Sequence, residues 1–157
     1  MSINEHDILN ALGEWGECLI SISKAYEEKG LNPARAMADQ TLDRLYGFDL
    51  GPVLFKPTLS GGADTFRPTK AGALAYFIGH DPKYPDDSGF GIKFWRKVRS
   101  ETSTTFIKND VAMWMGWVSL FDKNNAVLKV DKTFGYTRDK NGNLKIILHH
   151  SSLPFKG

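Results

Sequence analysis

The chain has 157 residues, 41% of them hydrophobic and 24% charged, which suits the core of one ordinary domain spanning 1–157. Twenty Lys and Arg stand against eighteen Asp and Glu, so a formal net charge of +2 gives no field that would draw the chain onto nucleic acid or an anionic membrane surface. The single cysteine, Cys18, excludes an internal disulfide and a cysteine-rich zinc site.

The first residues lack the basic start and apolar run of a secretion signal. No segment approaches the roughly 18 apolar residues of a membrane span, so a cytoplasmic protein is expected. Ile8, Leu12, Trp15, Leu19, Ile22 and Tyr26 recur every three or four residues and predict an amphipathic helix ending at Gly30. Asn32-Pro33 predicts the start of a second helix, with Asn32 as cap and Ala34, Met37, Ala38, Leu42 and Leu45 facing inward. Val53-Leu54-Phe55, between Pro52 and Pro57, reads as a short strand. After a flexible loop, Thr69 caps a third helix that Gly79 closes, and the Asp-, Pro- and Gly-rich segment 80–91 is a loop. The rest is a meander. Its predicted strands are 92–107, 111–121, 127–137 and 144–152, the last two joined at the hairpin signal Asp139-Lys-Asn-Gly142. Strand 111–121 is apolar at every second position on both sides, as expected of a central strand covered on two faces. Helices first and an antiparallel meander after them make an α+β domain.

Three stretches carry a resemblance. They are Ala112-Met-Trp-Met-Gly-Trp-Val-Ser119, Phe134-Gly-Tyr-Thr-Arg-Asp-Lys-Asn-Gly142 and Leu144-Lys-Ile-Ile-Leu-His-His-Ser-Ser-Leu-Pro154. Together they resemble the end of NTF2-like domains, in particular the calcium/calmodulin-dependent kinase II association domain and its SnoaL-like bacterial relatives. Leu144 stands where the kinase domain usually has Trp, and Ser151 where it usually has Arg. The resemblance implies an NTF2-like cone in which N-terminal helices pack on a curved antiparallel sheet. It also implies a ligand pocket on the concave face and a homodimer formed through the other.

Within that frame the strands offer candidate site residues. Trp114 and Trp117 lie on opposite faces of 111–121, so one set of side chains should line the pocket and the other an interface. His149 and His150 point to opposite faces and cannot share a metal in a regular strand. His150, at the parity of Ile146, Leu148 and Ser152, is the candidate general base, with Tyr136, Tyr46 or Tyr26 as hydrogen-bond donors. The blander reading is a satisfied structural histidine at a strand end. Lys132 shares its parity with Leu128, Val130, Phe134 and Tyr136, and Arg96 sits between Phe94 and Val98. Each is either a snorkelling edge residue or a pocket cation, and two inward cations would select an anionic ligand. Lys56, Arg67 and Lys70 cluster where they either steer an anion to the mouth of the cone or, as is commoner, form a solvated face. Asp81, Asp86 and Asp87 lack calcium-loop spacing, and no phosphate-cradling or nucleophile-elbow motif occurs, so neither metal nor cofactor is expected. The leading expectation is a domain that binds a small ligand without assigned chemistry. The alternatives are a dehydratase–isomerase-like enzyme built on His150 and an oligomeric association module.

Overall fold

The structure, a computed structural model, describes residues 2–157. Helices α1 (Glu5–Lys29), α2 (Leu31–Leu45) and α3 (Lys70–Ile78) cover one face of a five-stranded sheet. The strands are β1 (Leu54–Lys56), β2 (Trp95–Lys108), β3 (Val111–Asp122), β4 (Val127–Arg138) and β5 (Leu144–Ser152). Their order is β1-β5-β4-β3-β2, with β1 parallel to β5 and every other pair antiparallel. This is the expected α+β cone.

Asn4 and Asp7 close a reciprocal capping box on α1, each side chain accepting the other's backbone N–H at 2.9 Å. At the other end Gly30, at φ 94°, both ends α1 and starts α2. No linker is left between the helices, so Asn32-Pro33 falls inside the first turn of α2 and does not cap it. Ala34, Ala38, Leu42 and Leu45 are buried as expected, whereas Met37 lies at the exposed margin of the stripe.

Strand β3 departs from expectation in an informative way. Ala112, Trp114, Val118 and Leu120 are buried, but Met113, Met115 and Trp117 lie open on the outer face of the sheet. A Cβ at Gly116 would come within 2.2 Å of the Glu101 carbonyl oxygen and 2.7 Å of the Trp114 ring. Glycine therefore lets β2, β3 and the Trp114 indole crowd together, beside an irregularity in β2 between Thr102 and Thr104.

A second irregularity decides what faces the core. Pairing of β4 with β5 jumps from Gly135↔Leu148 to Tyr136↔Ile146, leaving Ile147 as a bulge. A Cβ on Gly135 would meet that of Leu148 at 2.9 Å. The bulge inverts the alternation of β5, so Ile146 is inward on one side of it, and His149 and Ser151 are inward on the other.

The segment between β1 and α3 is pinned by Arg67. Its guanidinium makes two 2.8 Å bonds to the Asp87 carboxylate and others to the Gly72 and Asp64 carbonyls, and it lies 4.5 Å from the Tyr84 ring. Both charged side chains are at most 4% exposed. Removing one partner strands the other's charge in the interior. Asp87→Asn is therefore expected to cost about 3–5 kcal/mol in urea unfolding; a loss no larger than that of an exposed substitution would contradict this account.

Candidate active site

The inward residues of β5 meet β4 and the helices in one buried hydrogen-bond chain. Trp15 Nε1 of α1 donates to the Tyr46 hydroxyl, at the end of α2, at 2.9 Å. Tyr46 lies 2.8 Å from His149 Nδ1, and His149 Nε2 lies 3.0 Å from Lys132 Nζ. Lys132, paired directly across the β4–β5 ladder from Ser151, donates to Ser151 Oγ at 3.1 Å. Ser151 Oγ is 2.6 Å from Thr58 Oγ1, just beyond β1, and the Tyr76 hydroxyl of α3 lies beside Thr58 and accepts the Leu59 N–H. All of these side chains are buried; Lys132 and His149 are each 2% exposed.

Aromatic rings insulate the chain. His149 sits between Phe55 and Phe134, with ring centroids at 4.7 and 4.5 Å, and Trp15 meets it edge-on. Burial, then the nearby Lys132, pushes the imidazole well below its ordinary range, so it is neutral. Burial likewise pushes the Tyr46 and Tyr76 phenols up, and both keep their protons. Lys132 is pushed down to about 7, first by burial, with Asp131 opposing and Lys56 reinforcing the shift.

Satisfying every donor assigns the proton positions. The Tyr46 oxygen already accepts from Trp15, and His149 Nδ1 is the acceptor within reach of its hydroxyl proton. His149 then carries its own proton on Nε2, facing Lys132. An ammonium has no lone pair to accept it, whereas an amine has one. A neutral Lys132 lets each group donate to the next, from Trp15 through to Thr58.

Of the residues marked in the sequence, Lys132 and Tyr46 belong to this chain. His150 is exposed on the outer face, opposite Thr133, because the bulge has exchanged its place with that of His149. Tyr136 is buried against Phe134, with no hydrogen-bond partner for its hydroxyl among the described residues. It lines a separate groove of about 530 Å³ with Glu14, Arg44 and Arg138. Trp114 is core, donating to Thr102 Oγ1 at 2.8 Å. Trp117 is on the outer face beneath the Lys129 ammonium, and Arg96 is ion-paired to Glu27 of α1. Arg67 and Lys70 are held by Asp87 and by Asp39 and Asp43. Sequence reasoning did not mark His149, Ser151, Thr58, Trp15 or Tyr76 as site residues. Gly135, a glycine inside a strand, was the one signal of the bulge that turns the first two inward.

A family model described as metal-independent carbonic anhydrase matches residues 6–153. The metal-independent carbonic anhydrase of Nostoc sp. (strain PCC 7120 / SAG 25.82 / UTEX 2576) is 46% identical over 155 residues, covering 99% of this chain and 76% of that one. The chain belongs to the metal-independent carbonic anhydrase family. A crystal structure of the iota-carbonic anhydrase from a cyanobacterium, complexed with bicarbonate, superposes with a TM-score of 0.98 at 46% identity, over 99% of this chain and 95% of that one. A putative calcium/calmodulin-dependent protein kinase II association domain from Xanthomonas campestris shares the fold, with a TM-score of 0.61 at 21% identity over 99% and 91% of the two chains. The family overturns the leading expectation of a binding domain without assigned chemistry. Among the described residues no three His, Cys, Asp or Glu side chains converge to hold a metal ion.

The state of Lys132 has a measurable consequence. With a folded pKa of about 7 against an ordinary 10.5, the unfolded chain binds a proton across that window that the folded chain does not. The contribution of Lys132 to stability is therefore most unfavourable below the folded value and improves as pH rises through the window. Lys132→Met is expected to raise the melting temperature most at about pH 6, the gain shrinking towards about pH 10. A change independent of pH would contradict a buried neutral lysine.

Proposed function

We propose that this protein catalyses the reversible hydration of CO2 to bicarbonate at the Ser151–Thr58 end of the buried chain. Family membership supports the reaction class. The observation that carries the site is that Ser151 Oγ stands within hydrogen-bond distance of both Thr58 Oγ1 and Lys132 Nζ, with Lys132 in turn facing the Trp15 ring. CO2 is small, linear and uncharged, which suits apolar surroundings. Addition of water bends it and places negative charge on oxygen, where fixed hydroxyl donors are most effective. Ser151, Thr58 and Tyr76 supply such donors. The proton lost by the water needs a base with a free lone pair; burial keeps the His149 imidazole neutral and pushes Lys132 down to about 7.

The partner is a second copy of this chain, docked through the outer face. Met113, Met115 and Phe106 are exposed there on the paired strands β2 and β3, and an open apolar patch of this kind on a sheet marks an interaction surface. Light scattering is expected to give the mass of two chains, and Met115→Glu that of one. A wild-type monomer would remove this reading.

Ser151→Ala and Thr58→Val are each expected to lower kcat/KM for CO2 hydration by about 10²–10³ in stopped-flow assays. His150→Ala, on the outer face, should leave it near the wild-type value. Dialysis against a strong chelator should also leave it unchanged. Loss of activity with His150→Ala but not with Ser151→Ala would place the site elsewhere.

A further inference from the structure

Lys132 has no counter-ion among the described residues. It forms no ion pair among them, although Arg44, Arg67, Lys70, Arg96, Lys123, Arg138 and Lys145 each do. Every group that faces it is neutral or cationic. From β5 come His149 and the Ser151 hydroxyl, and from α1 the Trp15 ring, 4.9 Å from Nζ. From α2 comes the phenol of Tyr46, through His149. On β3 its register partner is Gly116. From β1 the nearest charge is Lys56, whose Nζ donates to the Ser151 carbonyl. The adjacent acid, Asp131, points to the other face of β4, where it accepts from Ser152. A buried cation without a partner costs several kcal/mol, and an apolar residue of the same length would not. A lysine in such a place marks an electrostatic task rather than a structural one.

We propose that Lys132 is the catalytic base of this site, and that the ammonium formed on it is the counter-ion of the bicarbonate. This rests on the carbonic anhydrase reading above. In the hydration direction Nζ exchanges its bond from His149 Nε2–H for a proton of the attacking water. That O–H bond breaks as the oxygen bonds to the carbon of CO2, and one C=O electron pair moves onto oxygen. The products are bicarbonate and Lys132–NH3+, side by side, with atoms and charge conserved. The ammonium is held by Ser151 Oγ, the Trp15 face and the new anion. Departure of bicarbonate leaves an unpaired buried cation, which returns its proton to solvent. His149 is a positioning residue: both its nitrogens are engaged and its faces are closed by Phe55 and Phe134.

The test is proton linkage. Bicarbonate is titrated calorimetrically into wild-type protein in buffers of different ionisation enthalpy, at about pH 8.5, where the lysine is mostly the amine. Uptake of close to one proton per site is expected, with affinity falling about tenfold per pH unit above the lysine's titration. Lys132→Arg, charged at every pH, should bind bicarbonate without proton uptake yet lose about 10²–10⁴ in kcat. Lys132→Met should lose both the uptake and the rate. Wild-type binding with no proton uptake, or either variant hydrating CO2 at the wild-type rate, overturns the proposal while leaving the carbonic anhydrase reading intact. Absence of CO2 hydration by the wild-type protein overturns that reading itself.

Discussion

The bulge at Ile147 is the constraint on which the site depends. A regular β5 would carry Ile146, Leu148, His150 and Ser152 on one face. The extra residue against Gly135 keeps Ile146 in the core and at the same time turns His149 and Ser151 inward, opposite Phe134 and Lys132. Strand pairing does the rest. Lys132 and Ser151 are register partners, so their side chains meet without a loop to hold them. The parallel pairing of β1 with β5 brings Phe55 beside His149 and carries the chain on to Thr58. Tyr46 reaches the same ladder through an isolated bridge to Ile146. Most of the site is thus set by backbone hydrogen bonds, which is the rigid placement that electrostatic catalysis needs.

The interior carries a polar chain that a purely structural protein would gain by replacing. Each member is satisfied by the next, and that keeps the chain tolerable in a low-dielectric core. The exception is charge. Trp15, Tyr46, His149, Ser151 and Thr58 can all stay neutral, and the one group able to charge near neutral pH is Lys132. The aromatic packing that holds His149 neutral also makes charging Lys132 costly until an anion is beside it. Packing and chemistry are therefore the same arrangement: the rings that form the core also set the protonation states at the site.

Much of this was legible in the residues. The 3.6-residue stripe of α1, the stop at Gly30, the cap at Thr69 and the hairpin at Asp139–Gly142 are local signals, and local hydrogen bonding decides them. Parity placed Lys132 correctly with Val130, Phe134 and Tyr136, because β4 alternates without interruption there. The same rule misplaced His150, since a bulge shifts parity, and this one rests on the close approach of Gly135 to Leu148 across the hairpin, which strict alternation does not register. Arg96 and Trp117 illustrate a different limit. Their neighbours are apolar, but the ion pair with Glu27 and the cation above the indole come from chain folded against them, which sequence pattern does not report.

The residue at 151 sets the charge that Lys132 meets across the ladder. An arginine at position 151 would aim a permanent cation at Lys132, with no acid on the inward face to offset either charge. The lysine would then be unable to gain a proton, and bicarbonate would meet fixed charges rather than one created with it. Serine contributes a neutral hydroxyl that can accept from Lys132 and donate to Thr58. The cone supplies the walls in either case; the pair at 132 and 151 decides whether a proton can be held between them.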